Sequence, residues 1–241
     1  MTVAPTTDRP AGVASIAEAI AHMEGIAAAL PAADGLSCFN RMYLQVTQLV
    51  ADRLAAGEFA DAQFMNVLDV TFANRYLATA DAAGDGSAPV PPGVPRCWAA
   101  LLENRRSDRI DPVQFALAGM NAHINHDLPL ALVDTCGQLG TSPEQGTHHA
   151  DYDRINAVLG AVEEQVRQSF EAGIVRAVDQ QLSPLETVVA NWSITAARDA
   201  AWTNSQAIWA LRHLPGLRAD YVDGLDRLVG LAGRGLLVPT R

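Results

Sequence analysis

Charge is scarce in this chain. Of its 241 residues only 18% are charged, against about 25% in a typical globular protein. Positive charge is scarcer still, and the formal net charge is −10. The densest basic stretch, Arg105-Arg106 with Arg109, is interrupted by Asp108. A nucleic-acid partner needs a basic stripe to neutralise phosphates, so that class of partner is excluded. Cysteine is rare: Cys38, Cys97 and Cys136 lie far apart, odd in number and without a CxxC pair. That excludes a disulfide scaffold and reads as reduced thiols in a cytoplasm, packed as small core residues. Long apolar runs are missing. The stretch from Val13 to Leu30 is broken by Glu18, His22 and Glu24, and Met1 to Ala11 hold no apolar segment. The expectation is a cytoplasmic protein without signal peptide or membrane span, residues 1–11 forming a disordered N-terminus.

Strand signals are also missing. No alternating stretch of useful length occurs, and Gly235-Leu-Leu-Val-Pro239 is too short. Several reaction signatures are absent: no GxSxG elbow, no Walker loop, no GxGxxG after a strand, no HExxH, no ExxH pair of the diiron bundles and no Asp-rich motif of terpene synthases.

Helical periodicity fills the chain instead. Residues 13–30, 36–56 and 62–79 repeat apolar positions at three and four. A loop rich in proline, Gly84 to Pro95, breaks the pattern, and a short helix follows around Arg96–Arg105. Asp111-Pro112 with Gln114 reads as an N-cap, a first-turn proline and a reciprocal cap partner. The helix they open meets Pro129, where it is expected to kink or end. Gly137 to Gly146 reads as a loop. A long helix from about Asp151 carries Ile155, Val158, Leu159, Val162, Val166, Phe170 and Ile174 in register. Ser183-Pro-Leu-Glu186 is a capping box for another, reaching about His213, and a last helix spans about Leu217–Leu231. The fold class is all-α: a single-domain bundle of about eight helices over residues 12–241, around the helix of residues 115–128. Splitting the chain at the Pro-rich loop would leave residues 1–83 as a thin three-helix unit with polar residues on its apolar faces. The loop is instead expected to edge a pocket.

That central helix carries the chemistry. Within an apolar run it places Asn121, His123, Asn125, His126 and Asp127 in seven residues. Burying an unpaired amide or carboxylate costs roughly 1–3 kcal/mol or more, so the segment is either a polar core network or a site. On an α-helix, His123 and Asp127 stand about 40° apart and His126 about 60° from His123 on the other side. Asn121 and Asn125 form a second arc. A His with Asp four residues on supplies two metal ligands or a proton-transfer pair. Further ligands for a divalent metal (zinc, iron or manganese) would come from His148, His149 or Asp151, with Asp69 and His22 more remote. No cysteine is expected in that set. His126-Asp127 also spells the doublet of HD-type phosphohydrolases, but the other parts of that signature are missing. Arg41, Arg75, Arg198 and Trp202 lie in helical stripes and could wall a pocket, Arg198 stacking on Trp202 four residues on.

Five stretches together, Asp34–Leu44, Leu68–Tyr76, Gly119–Pro129, His149–Asn156 and Ala197–Trp202, resemble DUF5995, a bacterial family of unknown function seen mainly in high-GC actinobacteria. The resemblance runs from about Asp34 to Leu237. It implies a helical fold and no assigned activity. It also implies that the place of His126 varies, leaving Asn121, His123, Asn125 and Asp127 as the site.

Two functions stay open. One is a small-molecule enzyme working by acid/base chemistry or metal-assisted hydrolysis. His123 and Asp127 would be catalytic or metal ligands with His149 and Asp151, while Asn121, Asn125, Arg41, Arg75, Arg198 and Trp202 would hold the substrate. The other is a non-catalytic binding or scaffold protein whose motif is a buried network. A solvent-connected cavity beside His123 and Asp127 separates them.

Overall fold

Helix starts in this chain are fixed by side chains that take up the free N–H groups of the first turn. In the computed structural model, which describes residues 12–157, 159–160 and 193–239, α1 (Ile16–Ala29) opens on the Ser15 hydroxyl. α2 (Gly35–Ala55) opens on Asp34 and α3 (Ala62–Ala83) on Asp61. α4 (Arg96–Asn104) follows Pro95 and has no cap of its own. The carboxylate of Asp226, far along the chain, accepts from the Arg96 and Cys97 N–H groups at 3.0 Å each. α5 (Pro112–Ala122) opens on the expected capping box, and the Gln114 side chain accepts from the Asp111 N–H at 2.9 Å. α6 (Leu128–Leu139) runs on to Gly140, whose φ of 64° is the left-handed conformation that ends helices. Residues 148–157 are helical, α7 (Ile194–Ala210) opens on Ser193, and α8 (Pro215–Leu236) has its proline at the first position. No strand occurs among the described residues.

Two sequence expectations change. Of the helix expected from Ser183 to His213, the described part starts anew at Ser193, which is extended and whose hydroxyl accepts from the Ala196 N–H, and ends at Ala210. The proposed start at Ser183, Val158, the stripe from Val162 to Ile174 and the N-terminal residues 1–11 lie outside the described residues. The second change is at Pro129. The helix does not end there; it continues through a wider turn. His123–Asp127 form a π turn, in which the Leu128 N–H bonds the His123 carbonyl five residues back. Proline has no N–H for the carbonyl of Asn125, so the α ladder is already interrupted. One extra residue in the turn absorbs the interruption, and α6 resumes with Pro129 in its first turn, where no N–H is needed.

The helical run through α5, the π turn and α6 is the axis of the bundle. α5 packs on α2, α4 and α8, and α6 packs on α3 and α7. Residues 117–124 and 126–133 are buried without exception. Small residues permit this: a Cβ on Gly119 would stand 2.4 Å from the Phe39 ring. Helices on both sides of the Pro-rich loop share one core. Arg105 and Arg106 tie that loop down through the Gly84 and Asp85 carbonyls. It lies against the end of α4, where Gly86 and Ala88–Val90 edge a separate pocket with Leu102 and Arg105, and it does not line the cavity beside His123. No described helix is long and apolar enough to cross a membrane.

Candidate functional site

Asp127 organises the motif. Its Oδ2 meets His123 Nδ1 at 3.0 Å and accepts from the Trp98 Nε1–H at 2.8 Å; its Oδ1 meets His126 Nδ1 at 2.8 Å. Burial works against the charge, but the bonds from His123 and His126 prevail and hold the carboxyl well below the usual range. An ionised carboxylate only accepts, so both histidines carry their proton on Nδ1. In a neutral imidazole so held, Nε2 is the acceptor. The π turn sends the two in different directions.

His123 Nε2 is buried and has no partner. Five aromatic rings surround the imidazole. Phe72 stacks on it with centroids 3.6 Å apart, Tyr43 meets it edge-on at 4.4 Å, and Phe39, Tyr76 and Trp98 stand within 6.0 Å. Burial in this cage lowers the imidazole pKa although Asp127 pulls it up, so His123 is neutral at pH 7. Beside it lies a cavity of about 80 Å³, walled mainly by apolar side chains of α2, α3, α5 and the segment 152–159. At 10–15 Å³ per water centre, roughly, that is room for several waters or a small organic molecule. Two further residues of its lining carry a polar atom that is buried without a partner: the Tyr43 hydroxyl and Asp69 Oδ2. Burial raises the Asp69 carboxyl to about 7, and burial with Asp69 nearby raises Tyr43 well above its ordinary value. The site therefore pairs a neutral imidazole with a carboxyl poised between its two forms.

The remaining expected residues are distributed unevenly. Arg198 lines the cavity but does not stack on Trp202. It lies 3.9 Å over the Tyr152 ring and bonds Asn156 Oδ1 and the Tyr152 carbonyl. Trp202 stacks on His149 instead. Asn121 and Asn125 serve packing: Asn121 donates to the Val229 carbonyl of α8 at 2.9 Å and accepts from Asn125. Arg41 reaches the Ala32 carbonyl at the surface, and Arg75 pairs with Asp134. The expected metal set does not converge. Asp151 accepts from the Ala60 and Asp61 N–H groups before α3, and His149 stands exposed 3.7 Å from Asp153. The loop after α6 carries Asp151 to the start of α3, while His149 lies on Trp202 of α7. His148 bonds Asp61 and the Ser142 carbonyl, and His22 pairs with Asp81 at the surface.

Sequence reasoning missed the role of Trp98, while it placed Tyr43 and Asp69 in helical stripes that together could wall a pocket and counted Asp69 as a remote metal ligand as well. Asp69 carried the same signal as the motif, a carboxylate inside the apolar run Leu68-Asp-Val-Thr-Phe72. Trp98 gave none, since an indole in an amphipathic helix reads as core.

Residues 16–239 match the sequence profile of DUF5995, described as a family of unknown function. No similar curated protein and no similar solved structure was found.

Proposed function

The chain belongs to DUF5995, a family of unknown function, and from its site we propose a small-molecule enzyme that works by proton transfer, with His123 as its base. One observation carries the reading: three of the residues that line one apolar cavity, Tyr43, Asp69 and His123, each carry a buried polar atom without a partner. Native proteins leave few such atoms unbonded, at roughly 1–3 kcal/mol each. Three around one space are a recognition surface for something that bonds them. The substrate is small, with an apolar body and a hydrogen-bonding head such as a carbonyl or carboxyl group. His123 Nε2 takes the proton, Asp127 fixes the tautomer and steadies the imidazolium, and the protonated Asp69 or the Tyr43 hydroxyl donates to the oxygen that gains charge. Neutral imidazole and a carboxyl near 7 suit proton traffic at physiological pH.

A panel of small ketones, amides and carboxylic acids with apolar tails tests this, using protein with ¹⁵N-labelled histidine. Binding shifts the His123 Nε2 resonance. Bound ketones exchange α-hydrogens for deuterium with the wild type and not with His123→Asn. Binding without exchange across the panel selects the non-catalytic binding protein. An Nε2 resonance that no compound moves overturns both readings.

A further inference from the structure

We propose that Cys97, His126 and Asp226 form a site for one divalent cation of the zinc class, with Asp127 as the outer carboxylate that orients His126. One donor atom from each of the three lies within 4.8 Å of the others. They come from three elements, α4, the π turn and α8, so their meeting is a tertiary event. The proton-transfer site does not use them.

Four features point the same way. His126 Nδ1 is engaged by Asp127 at 2.8 Å, leaving Nε2 bare and 4.0 Å from Asp226 Oδ1. A carboxylate on the far nitrogen of a ligating histidine is the usual companion of a zinc-bound imidazole; it fixes the tautomer and raises basicity. Asp226 is held by the Arg96 and Cys97 N–H groups at 3.0 Å and keeps lone pairs to spare. Cys97 and His126 are buried, so the donors lie in a shielded place where a cation offsets two carboxylates. Finally, α8 presses on the start of α4 at Gly230, where a Cβ would meet the Arg96 carbonyl at 3.0 Å. That contact clamps Cys97 to Asp226.

Thiolate, imidazole and carboxylate together suit zinc, and three protein ligands leave a position for water or a substrate atom. Burial and the two carboxylates hold the Cys97 thiol protonated. Binding therefore forms a metal–sulfur bond and releases the thiol proton to solvent. Because Asp127 holds both histidines, a cation on His126 would draw charge from the carboxylate that steadies His123.

The full-length protein is stripped with a chelator and titrated with Co²⁺. One equivalent is expected to bind, giving the thiolate-to-cobalt charge-transfer band. Cys97→Ser abolishes that band and Cys136→Ala leaves it. Removing an orienting partner weakens metal sites by 10–100-fold, so His126→Ala weakens binding by more than about 100-fold. X-ray absorption of the zinc-loaded wild type needs no substitution and shows one sulfur at about 2.3 Å among nitrogen and oxygen neighbours. Stoichiometric metal with no sulfur neighbour, a band that survives Cys97→Ser, or no stoichiometric binding at all overturns the proposal. None of these outcomes decides whether His123 exchanges protons, which the deuterium test reads on metal-free protein.

Discussion

Aromatic residues make up only 6% of the chain, yet five of their rings enclose one imidazole. His123 is thus both a packing element and the base. His123→Ala removes its bond to Asp127, its stack on Phe72 and the wall of an existing cavity. We expect a loss of roughly 2–4 kcal/mol in urea unfolding; a loss under about 1 kcal/mol would mean that the cage does not depend on the imidazole. Asp69 gives a pH test. Its carboxyl titrates near 7 in the fold, above its unfolded value. Below about pH 4 it is protonated in both states and has no effect. As pH rises from there, the unfolded chain ionises first and the fold loses stability, until the buried group ionises too near pH 7. Asp69→Asn should therefore stabilise the protein by about 1–3 kcal/mol at pH 8, with the gain vanishing toward pH 4. Thermal melts across that range decide it, and a gain independent of pH would contradict the buried carboxyl.

At the scale of the element, two glycines of the axial helix make a matched comparison. Gly119 faces Phe39, where an added Cβ would stand 2.4 Å from the ring, and Gly137 of α6 has nothing within 4 Å. Gly119→Ala forces helix and ring apart and should destabilise by about 1–3 kcal/mol. Gly137→Ala meets open space and should stabilise by up to about 1 kcal/mol through helix propensity. Equal effects in urea unfolding would refute the close approach. Pro129→Ala restores an N–H and permits an α turn in place of the π turn. Such a repair is expected to hold or raise the melting temperature while moving His123 and His126 relative to Asp127. Histidine ¹⁵N shifts report it, and unchanged shifts would show that the π turn does not depend on the proline.

For the whole molecule, one core spans the helices before and after the Pro-rich loop. The chain should unfold in a single cooperative transition. Protease nicking between Gly84 and Pro95 should give two fragments that co-elute under native conditions and separate only in denaturant. Fragments that part and stay helical would show two independent units.

The sequence alone placed the helices. Periodic apolar positions, the Asp111-Pro112-Gln114 cap and the breaks at proline and glycine are local signals, and the bounds of α1 to α5 follow them closely. It also located the polar motif, because His123 and Asp127 lie four residues apart on one helix and a local spacing suffices. Partners across the fold were another matter. Trp98 reaches Asp127 over 29 positions, and Asp226 caps α4 over 129. Periodicity says which face of a helix is buried and is silent on which helix covers it. That choice belongs to packing, to the ring that fits against Gly119 and the backbone that fits against Gly230. The π turn falls between the two. Pro129 announced an interruption, but that the helix took it up as a wider turn and ran on, rather than ending, was decided in the fold. So the tertiary structure alone turned Asn121 toward α8, carried Asp151 to the start of α3 and His149 onto Trp202, and gathered Tyr43, Asp69 and His123 around one cavity.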